Sequence, residues 1–479
     1  MGGLATAIRL ASNGFDLNVF EKNSYPGGKL TEFYKDGYRF DKGPSLFTLP
    51  ELIDELTKLC NYKIPFNYTK LKTITNYFYE DGTTLSGFAD QKLFAKELSE
   101  KLGESEERVF EYLKKSKFYY DTTADLFLNQ SLHRIKNFIN IKTLKGIVCA
   151  PFLGLNKTMN LQNESQFKNK KTVQLFNRYA TYNGSDPYKA PALMNIVNHL
   201  ECGLGAYLPE KGMHQITEYL MELAKHVGVK FYFSHLVTEI VINKNQVNGL
   251  TANGIFYKSN SVVSDVDMNF LYHKLLPNAI KPKKLLEQEK SSSAYVLYWG
   301  IKKEFKELGL HNILFSDNYK EEFNFLFENT KPYHDPTIYI NITSKYCKND
   351  APDGCENWFV MVNVPHNKNN KSIEYAAELR THVINKINRI LNTQIEKYIV
   401  VEEKLDPFDI ETETSSFGGS LYGNASNNKF SAFLRHSNYS TKIKGLYLVG
   451  GSVHPGGGIP LCLLSGKITS KIIIERNTK

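Results

Sequence analysis

The chain has 479 residues, about three times the size of a modal domain, so more than one folded core is expected. Hydrophobic residues make up 42% and charged residues 23%, which is typical of a globular protein and argues against extensive disorder. The net charge of +9 comes from scattered basic residues. This pattern predicts no nucleic-acid partner, but it suits contact with an anionic membrane surface.

Two further classes are excluded by composition. No apolar run approaches the ~18 residues that span a bilayer, so a membrane-spanning enzyme is not expected. The six cysteines show no Cys-x-x-Cys spacing, so we expect reduced thiols and predict neither a disulfide framework nor a metal site.

The first predicted elements are a short helix and a strand. Leu4, Ile8 and Ala11 recur at helical spacing, and Gly14 follows where a helix commonly ends. The next run, from residue 16, is strand-like and ends on Glu21. A helix, a glycine, a strand and then an acid form the second half of a βαβ dinucleotide-binding unit, in which the acid binds a ribose hydroxyl.

The helix opens on Gly2 and Gly3, and Gly3 fits the last glycine of a G-x-G-x-x-G loop, where the helix N-terminus faces a pyrophosphate. On this interpretation about 10–20 residues, comprising a strand and the first glycines, would precede residue 1. We therefore expect the chain as given to bind its dinucleotide poorly. The alternative is a helix that simply begins with two glycines.

A second glycine pair follows the acid. Gly27 and Gly28 allow backbone amides to approach a phosphate, and Lys29 adds positive charge beside them. An Asp-x-Gly-Pro stretch begins at Asp41 soon afterwards. Each piece alone is only a turn or a surface lysine, but their order is far more specific.

The most informative segment lies near the C-terminus. A buried strand is predicted over 446–449, then a glycine-rich turn that contains His454, and then an apolar helix from about Ile459. Glycines let the backbone lie against a flat ligand, and a helix N-terminus stabilises negative charge.

These segments together resemble the FAD-dependent carotenoid desaturases, within the larger group of flavin amine oxidases and phytoene desaturases, over nearly the whole length. Stretches beginning at Leu175 and Glu201 are similar to the same family. The resemblance implies an α/β fold with a discontinuous, Rossmann-like FAD-binding domain of the glutathione-reductase type and an inserted α+β substrate domain. It also implies that the backbone at Val237 contacts the adenine. The predicted cofactor-binding residues are Gly2, Gly3, Glu21, Gly27, Gly28, Lys29, Val237, Gly450, Gly451, Ser452, Gly457, Gly458, Ile459 and Pro460.

The predicted domains are assembled from separated pieces. The FAD-binding domain comprises residues 1–75, 200–275 and 405–479, and the substrate domain comprises residues 76–199 and 276–404. Strand-like runs around residues 293–300, 336–342 and 358–364 predict an antiparallel sheet in the substrate domain.

The implied reaction is desaturation of a linear carotene, such as phytoene or a 1-hydroxylated carotenoid, by hydride transfer to flavin. The C-terminal glycine-rich sequence is most similar to that of the family members that act on 1-hydroxylated carotenoids at the 3,4 bond. Alternatives are a phytoene desaturase, a carotenoid end-group oxygenase and a flavin-free prenyl-lipid escort protein. His454 is a candidate proton acceptor, core histidine or flavin neighbour, and Arg435 could position substrate or pair with an acid.

A long apolar substrate requires an apolar tunnel and access to a membrane. Residues 130–165 predict either a tunnel wall or a membrane-contacting edge, and a plain pair of buried helices is the alternative. Basic residues accompany this stretch and would suit anionic headgroups, namely Arg134, Lys136, Lys142 and Lys145. We expect a cytoplasmic protein at the inner face of the membrane, with oxygen or a quinone as electron acceptor.

Overall fold

The computed structural model describes residues 1–134, 137, 149, 152–329, 331–368, 374–428, 431 and 435–477. The helices are α1 (Gly2–Ala11), α2 (Glu51–Leu59), α3 (Gln91–Leu102), α4 (Glu106–Phe127), α5 (Met159–Gln166), α6 (Lys170–Asn177), α7 (Ile196–Asn198), α8 (Gln215–His226), α9 (Met268–Phe270), α10 (Lys283–Leu286), α11 (Tyr319–Glu328), α12 (Ala376–Leu391), α13 (Pro407–Thr414) and α14 (Ile459–Asn477).

The strands occur between these helices, partly in consecutive runs such as residues 230–264. They are β1 (Asn18–Phe20), β2 (Thr31–Lys35), β3 (Tyr38–Lys42), β4 (Tyr68–Lys70), β5 (Thr73–Phe78), β6 (Thr84–Phe88), β7 (Tyr207–Pro209), β8 (Lys230–Tyr232), β9 (Val237–Asn243), β10 (Gln246–Ala252), β11 (Ile255–Lys258), β12 (Val262–Ser264), β13 (Ser293–Ile301), β14 (His311–Leu314), β15 (Ile338–Ile342), β16 (Glu356–Val364), β17 (Ile399–Leu405) and β18 (Leu446–Leu448).

The nucleotide-binding side of the molecule is built on two parallel strand pairs. β1 pairs with β8, and β12 pairs with β18. Helices α1, α8 and α14 pack together beside them through a common apolar cluster that includes Leu4, Ile8, Leu220, Leu463 and Leu464. The helix from Gly2 and the helix from Ile459 begin where the sequence predicts, because both starts are marked by glycines before a periodic apolar run.

A seven-stranded sheet forms the second layer, in the order β17-β13-β16-β15-β14-β5-β6. Its neighbours are antiparallel except for β14 and β5, which pair in parallel. The antiparallel sheet predicted from the strand-like runs is therefore present, and β5 and β6 extend it with strands from much earlier in the chain. The boundaries predicted for the two domains remain a prediction.

The two faces of this sheet have different partners. On one face Trp299 and Trp358, which lie directly opposite each other in β13 and β16, pack with Leu379 and Val383 of α12. These tryptophans are fully buried, so this face is a closed apolar core. The opposite face turns toward the nucleotide-binding side. No helix within the described ranges has the length and apolar character needed to cross a membrane.

Candidate functional site

A large cavity of about 1270 Å3 lies between the parallel strand pairs and the seven-stranded sheet. Its wall contains every residue that the sequence predicts for cofactor binding, and it also contains His454 and Arg435. The structure thus brings together segments from the first thirty residues, from β9 and from the C-terminal glycine turn. Their roles remain predictions.

Two helix N-termini meet the cavity. The cavity is lined by Met1, Gly2 and Gly3 at the start of α1, and by Gly458 and Ile459 at the start of α14. Unpaired backbone N–H groups and the helix dipole make such ends suitable for anions. A pyrophosphate and a negatively charged reduced ring are groups of this kind.

Glycine is required at both of these ends. A Cβ added at Gly2 would lie 2.9 Å from Val449 Cγ2 and 3.0 Å from the Gly450 nitrogen, so α1 could not approach β18 so closely. Gly458 has a φ of +106° and nothing within 4 Å of its Cβ position, so a side chain there would project into open space. Because Gly458 lines the cavity, that open space is available to a flat ligand.

Two carboxylates follow the parallel strands. Glu21 comes directly after β1 and accepts a hydrogen bond from the Asn23 amide at 2.9 Å. Burial raises the pKa of Glu21 above its ordinary value, and the charge of Asp265 raises it further. Asp265 directly follows β12, and a Cβ on Gly3 would lie 2.5 Å from its Oδ2 atom. No sequence motif singled out Asp265; its position directly after a strand was the available signal.

Two basic residues of the cavity wall, Lys29 and Arg435, are tied to backbone carbonyls. Lys29 Nζ donates to the carbonyls of Ser420 at 3.0 Å and Leu421 at 2.9 Å. Burial lowers the pKa of Lys29 to about 8, and the nearby Asp267 opposes that shift. The Lys29 ammonium therefore fixes the segment before the glycine turn while keeping positive charge in the cavity wall at neutral pH.

Arg435 uses its guanidinium in the same way. Its Nη1 atom donates to the carbonyls of Tyr422 at 2.9 Å and Gly451 at 3.1 Å, and Nη2 donates to the Asn424 carbonyl at 3.0 Å. Burial lowers the pKa of Arg435 to about 10. These contacts favour a positioning role for Arg435, which holds the glycine turn, over direct pairing with an acid.

His454 is buried and its ring is already bonded on one side. Nε2 lies 2.8 Å from the Gln130 carbonyl, to which only a protonated nitrogen can donate. Burial lowers the pKa of His454 to about 4, so the ring is neutral at physiological pH. A neutral ring with its proton committed to a carbonyl is a poor proton acceptor and a good structural link between the glycine turn and the end of α4.

An aromatic group borders the cavity near Val237. Phe20 stacks on Tyr232 at a centroid distance of 5.0 Å and contacts Tyr257 at 4.6 Å. Phe20, Tyr257 and Val237 all line the cavity. A flat base can therefore rest beside the acid that follows β1, which agrees with the adenine contact that the family resemblance implies at Val237.

The remainder of the cavity is apolar and faces the seven-stranded sheet. Alternate residues of adjacent strands point into it, because paired positions in antiparallel strands share one face. These wall residues are Ala294, Val296, Ile313, Phe359 and Met361 from the sheet, with Leu193, Met194, Val197 and Leu200 from the helical segment opposite.

One polar cluster interrupts this apolar wall. The buried Arg178 donates to Glu201 Oε1 at 2.6 Å and to the Tyr77 hydroxyl at 2.6 Å, and its Nη1 donates to Tyr182. Burial opposes the charge, but Glu201 raises the pKa of Arg178 well above its ordinary value. The segments that contain Arg178 and Glu201 resemble the family in sequence, but the sequence predicts no role for these two side chains. No single motif contains both residues, so their ion pair could not be predicted.

The residues present fit FAD. The two helix N-termini with Gly2, Gly3, Gly457 and Gly458, here called the cofactor cradle, suit a pyrophosphate and a flat ring. Glu21 suits a ribose, and the aromatic group at Phe20 suits a base. Cavity space continues from this cradle to the apolar sheet face.

Comparison with known proteins identifies the family. The model of the flavin-containing amine oxidoreductase family matches residues 1–474. The chain belongs to this family. It is 50% identical over 478 residues to a 1-hydroxycarotenoid 3,4-desaturase from Flavobacterium sp. (strain P99-3), covering 100% of this chain and 98% of the relative. It is 30% identical to a 4,4'-diapolycopene oxygenase from Methylomonas sp., covering 99% of this chain and 96% of the relative.

Solved structures show the same fold. Putrescine oxidase bound to putrescine aligns with a TM-score of 0.64 at 14% identity, covering 99% of this chain and 97% of that chain. Cyclohexylamine oxidase from Brevibacterium oxydans IH-35A aligns with a TM-score of 0.62 at 13% identity, covering 100% and 97%. The predictions of an α/β FAD-binding fold, of an oxidoreductase and of an FAD cofactor are thereby confirmed.

Proposed function

We propose that this chain is an FAD-dependent desaturase that introduces a C=C bond into a linear carotenoid, with a 1-hydroxylated carotenoid as substrate and the 3,4 bond as target. The observation that carries the proposal is a cavity that runs from the cofactor cradle onto an apolar sheet face. The 50% identity to a 3,4-desaturase favours desaturation over end-group oxygenation, which is the activity named for relatives at 30% and 28% identity.

Bound FAD would supply the chemistry of accepting a hydride from the carbon chain, and the neighbouring carbon would lose a proton separately to complete the C=C bond. The chain's own residues would bind the cofactor and shape the site. Gly2, Gly3 and the turn at Gly457 and Gly458 hold the cradle, and Glu21 binds a ribose hydroxyl. The apolar wall binds the polyene by burying its surface, which contributes about 25 cal/mol per Å2, and excludes water from the reacting bond.

His454 and Arg435 act in this proposal as positioning residues. Arg435 holds the carbonyls of Tyr422, Gly451 and Asn424. His454 ties the same turn to Gln130. Both keep the glycine turn in the shape that a flat ring requires. Arg435 stays protonated at neutral pH, and the lowered pKa of His454 makes its unprotonated ring nitrogen a weak base.

We also propose that the protein docks on the cytoplasmic face of a membrane, where its substrate resides, and passes electrons to oxygen or a quinone. Three exposed apolar side chains on or beside α4 and α5 support docking, with exposed fractions of 38% for Phe118, 70% for Phe152 and 54% for Leu161. Lys115 of α4 donates to Gln162 of α5, which keeps these helices adjacent. Of the basic residues predicted to contact headgroups, Arg134 pairs with Glu475; Lys136, Lys142 and Lys145 lie outside the described residues.

The test of activity is product analysis in cells that accumulate a 1-hydroxylated carotenoid. Expression of this chain should lengthen the conjugated system by one double bond, seen as a new chromatographic peak at longer absorbance wavelength. A Gly458→Val variant, which places side-chain atoms in the cofactor cradle, is the inactive control. Appearance of an oxygenated end group without desaturation would contradict the proposal.

Docking is tested separately by flotation with vesicles that contain anionic lipid. Phe152→Ser combined with Leu161→Ser should reduce the vesicle-bound fraction. Ile280→Ser is the matched control, because Ile280 is an equally exposed apolar residue at 73% in another part of the chain. Equal loss of binding in both variants would contradict docking through α4 and α5.

A further inference from the structure

A buried histidine on the cavity face of the sheet has one ring nitrogen without a partner. His311 begins β14, is 2% exposed and lines the cavity. Its Nδ1 atom lies 2.7 Å from the Tyr339 hydroxyl and 3.1 Å from Asn341 Nδ2. Its Nε2 atom is buried and has no hydrogen-bond partner among the described residues.

The neighbours of His311 determine where its proton lies. Asn341 Nδ2 also donates to the Leu310 carbonyl at 3.1 Å, which sets the amide with its NH2 group toward the ring. An NH2 group can only donate, so Nδ1 of His311 must accept. Burial lowers the pKa of His311 to about 3, and the charge of Arg178 lowers it further. The ring is therefore neutral, and its single proton is on Nε2.

His311 Nε2–H is thus a buried donor that the protein does not satisfy. Buried donors are almost always paired, because an unpaired one loses its bonds to water without replacement. Each exception in a native protein has a cause, such as a functional role, local strain, or a water or ion that fills the site. The apolar wall residues near it, such as Ile313 two positions along the same strand, cannot supply an acceptor.

The polar cluster beside His311 does not accept a hydrogen bond from its Nε2–H. Arg178, Glu201 and Tyr182 bond to one another. Two further buried atoms, Arg178 Nε and Asn183 Oδ1, belong to residues that line the cavity and also have no partner among the described residues. A hydroxyl group, which has two lone pairs and one proton, is an acceptor that His311 Nε2–H could use.

We propose that the His311 Nε2–H donates a hydrogen bond to the oxygen of a hydroxyl group on the substrate, and that His311 therefore determines specificity for a hydroxylated polyene over the corresponding hydrocarbon. This inference rests on the proposed desaturase function and adds to it the residue that recognises the polar end. A hydrocarbon in the same cavity leaves the donor unpaired. Sites built to bind a hydroxyl reject the analogue that lacks it far more strongly than apolar pockets reject a missing methylene.

The experiment compares two substrates in the FAD-loaded full chain: a 1-hydroxylated carotenoid and the same carotene without the hydroxyl. The wild type should have a kcat/KM about ten- to a hundredfold higher for the hydroxylated substrate, the range that one buried hydrogen bond provides. His311→Leu should remove that preference, mainly through KM, while its rate on the hydrocarbon changes little. His311→Gln, whose amide can still donate, should restore part of the preference.

Leu314→Val is the matched control, since it alters the same strand without a polar atom and on the side away from the cavity, and it should leave the ratio between the two substrates unchanged. Flavin content and melting temperature establish that each variant is folded. If His311→Leu does not fold, His311→Gln and the wild-type ratio decide the question. A wild type that desaturates both substrates equally well would overturn this inference alone, whereas a wild type inactive on both would overturn the proposed function itself.

Discussion

The buried pair of Arg178 and Glu201 gives a quantitative test of the polar cluster. Their side chains are 3% and 1% exposed, and the pair is closed by a 2.6 Å contact. Substituting Arg178→Met leaves the Glu201 carboxylate buried without a countercharge, and within the described part of the chain the hydroxyls of Tyr179 and Tyr182 remain as its donors. We expect this single change to lower the free energy of unfolding by about 3–5 kcal/mol, the cost of an uncompensated buried charge.

The double variant Arg178→Met with Glu201→Gln should be much less destabilised. Its neutral amide can still bond to Tyr179 and Tyr182, and no charge remains in the apolar wall. Replacing a whole buried ion pair is often close to neutral, whereas breaking one is not. We therefore expect the double variant to recover more than half of the loss, which corresponds to a coupling energy of about 2 kcal/mol or more.

The measurement is urea unfolding of the four proteins of the cycle, followed by far-ultraviolet circular dichroism. The transition that involves the Arg178 segment should shift strongly in each single variant and weakly in the double variant. If the double variant loses as much stability as Arg178→Met alone, the cost comes from lost packing rather than from a buried charge, and the reasoning is refuted.

Three further predictions concern the cofactor and pH. Gly458→Ala should lower the flavin-to-protein absorbance ratio while Gly254→Ala should not, because both glycines have a positive φ and open space but only Gly458 lines the cavity. Glu21→Gln should weaken FAD binding about ten- to a hundredfold by removing a charge-assisted bond, whereas Glu239→Gln on exposed β9 should leave titrated affinity unchanged. The pKa of His454 is about 4 when folded and near 6.5 when unfolded, so the unfolded state binds the extra proton between these values. The free energy of unfolding should therefore fall as pH drops from 6.5 to 4, by up to about 1.4 kcal/mol per pH unit. The melting temperature should fall with it, and less steeply in His454→Gln.

The parts of the site that sequence alone predicts are those specified locally. The C-terminal turn and the helix from Ile459 follow from glycines and apolar residues that are close along the chain. Glu21 is likewise found by its distance from Gly3. Local patterns of this kind report backbone conformation and periodicity, so they locate helix starts and strand ends well.

The polar contacts of the substrate cavity are not specified locally. His311 lies in a strand with no distinctive sequence pattern. Its protonation depends on Asn341 and Tyr339, and these residues come close to it because β14 pairs with β15. Arg178 and Glu201 are 23 residues apart and meet because the intervening helical segment folds back. No periodic pattern in the sequence shows that these residues contact one another. The same holds for Asp265, which becomes a site residue only when β12 ends beside the start of α1.

A polar contact can also fix the position of the substrate along the cavity, which an apolar wall alone cannot do. A linear polyene has nearly repeating units, so sliding it along an apolar wall changes the buried area little, and at about 25 cal/mol per Å2 the hydrophobic term hardly favours one position over the next. A hydrogen bond is directional and fails beyond about 3.5 Å, which is less than the shift that would bring the next equivalent bond to the reacting centre. A single anchor at His311 would therefore select one register. His311→Leu is accordingly expected to broaden the set of bonds desaturated as well as to lower the preference for a hydroxylated substrate, and chromatography of the products distinguishes this from a uniform loss of activity.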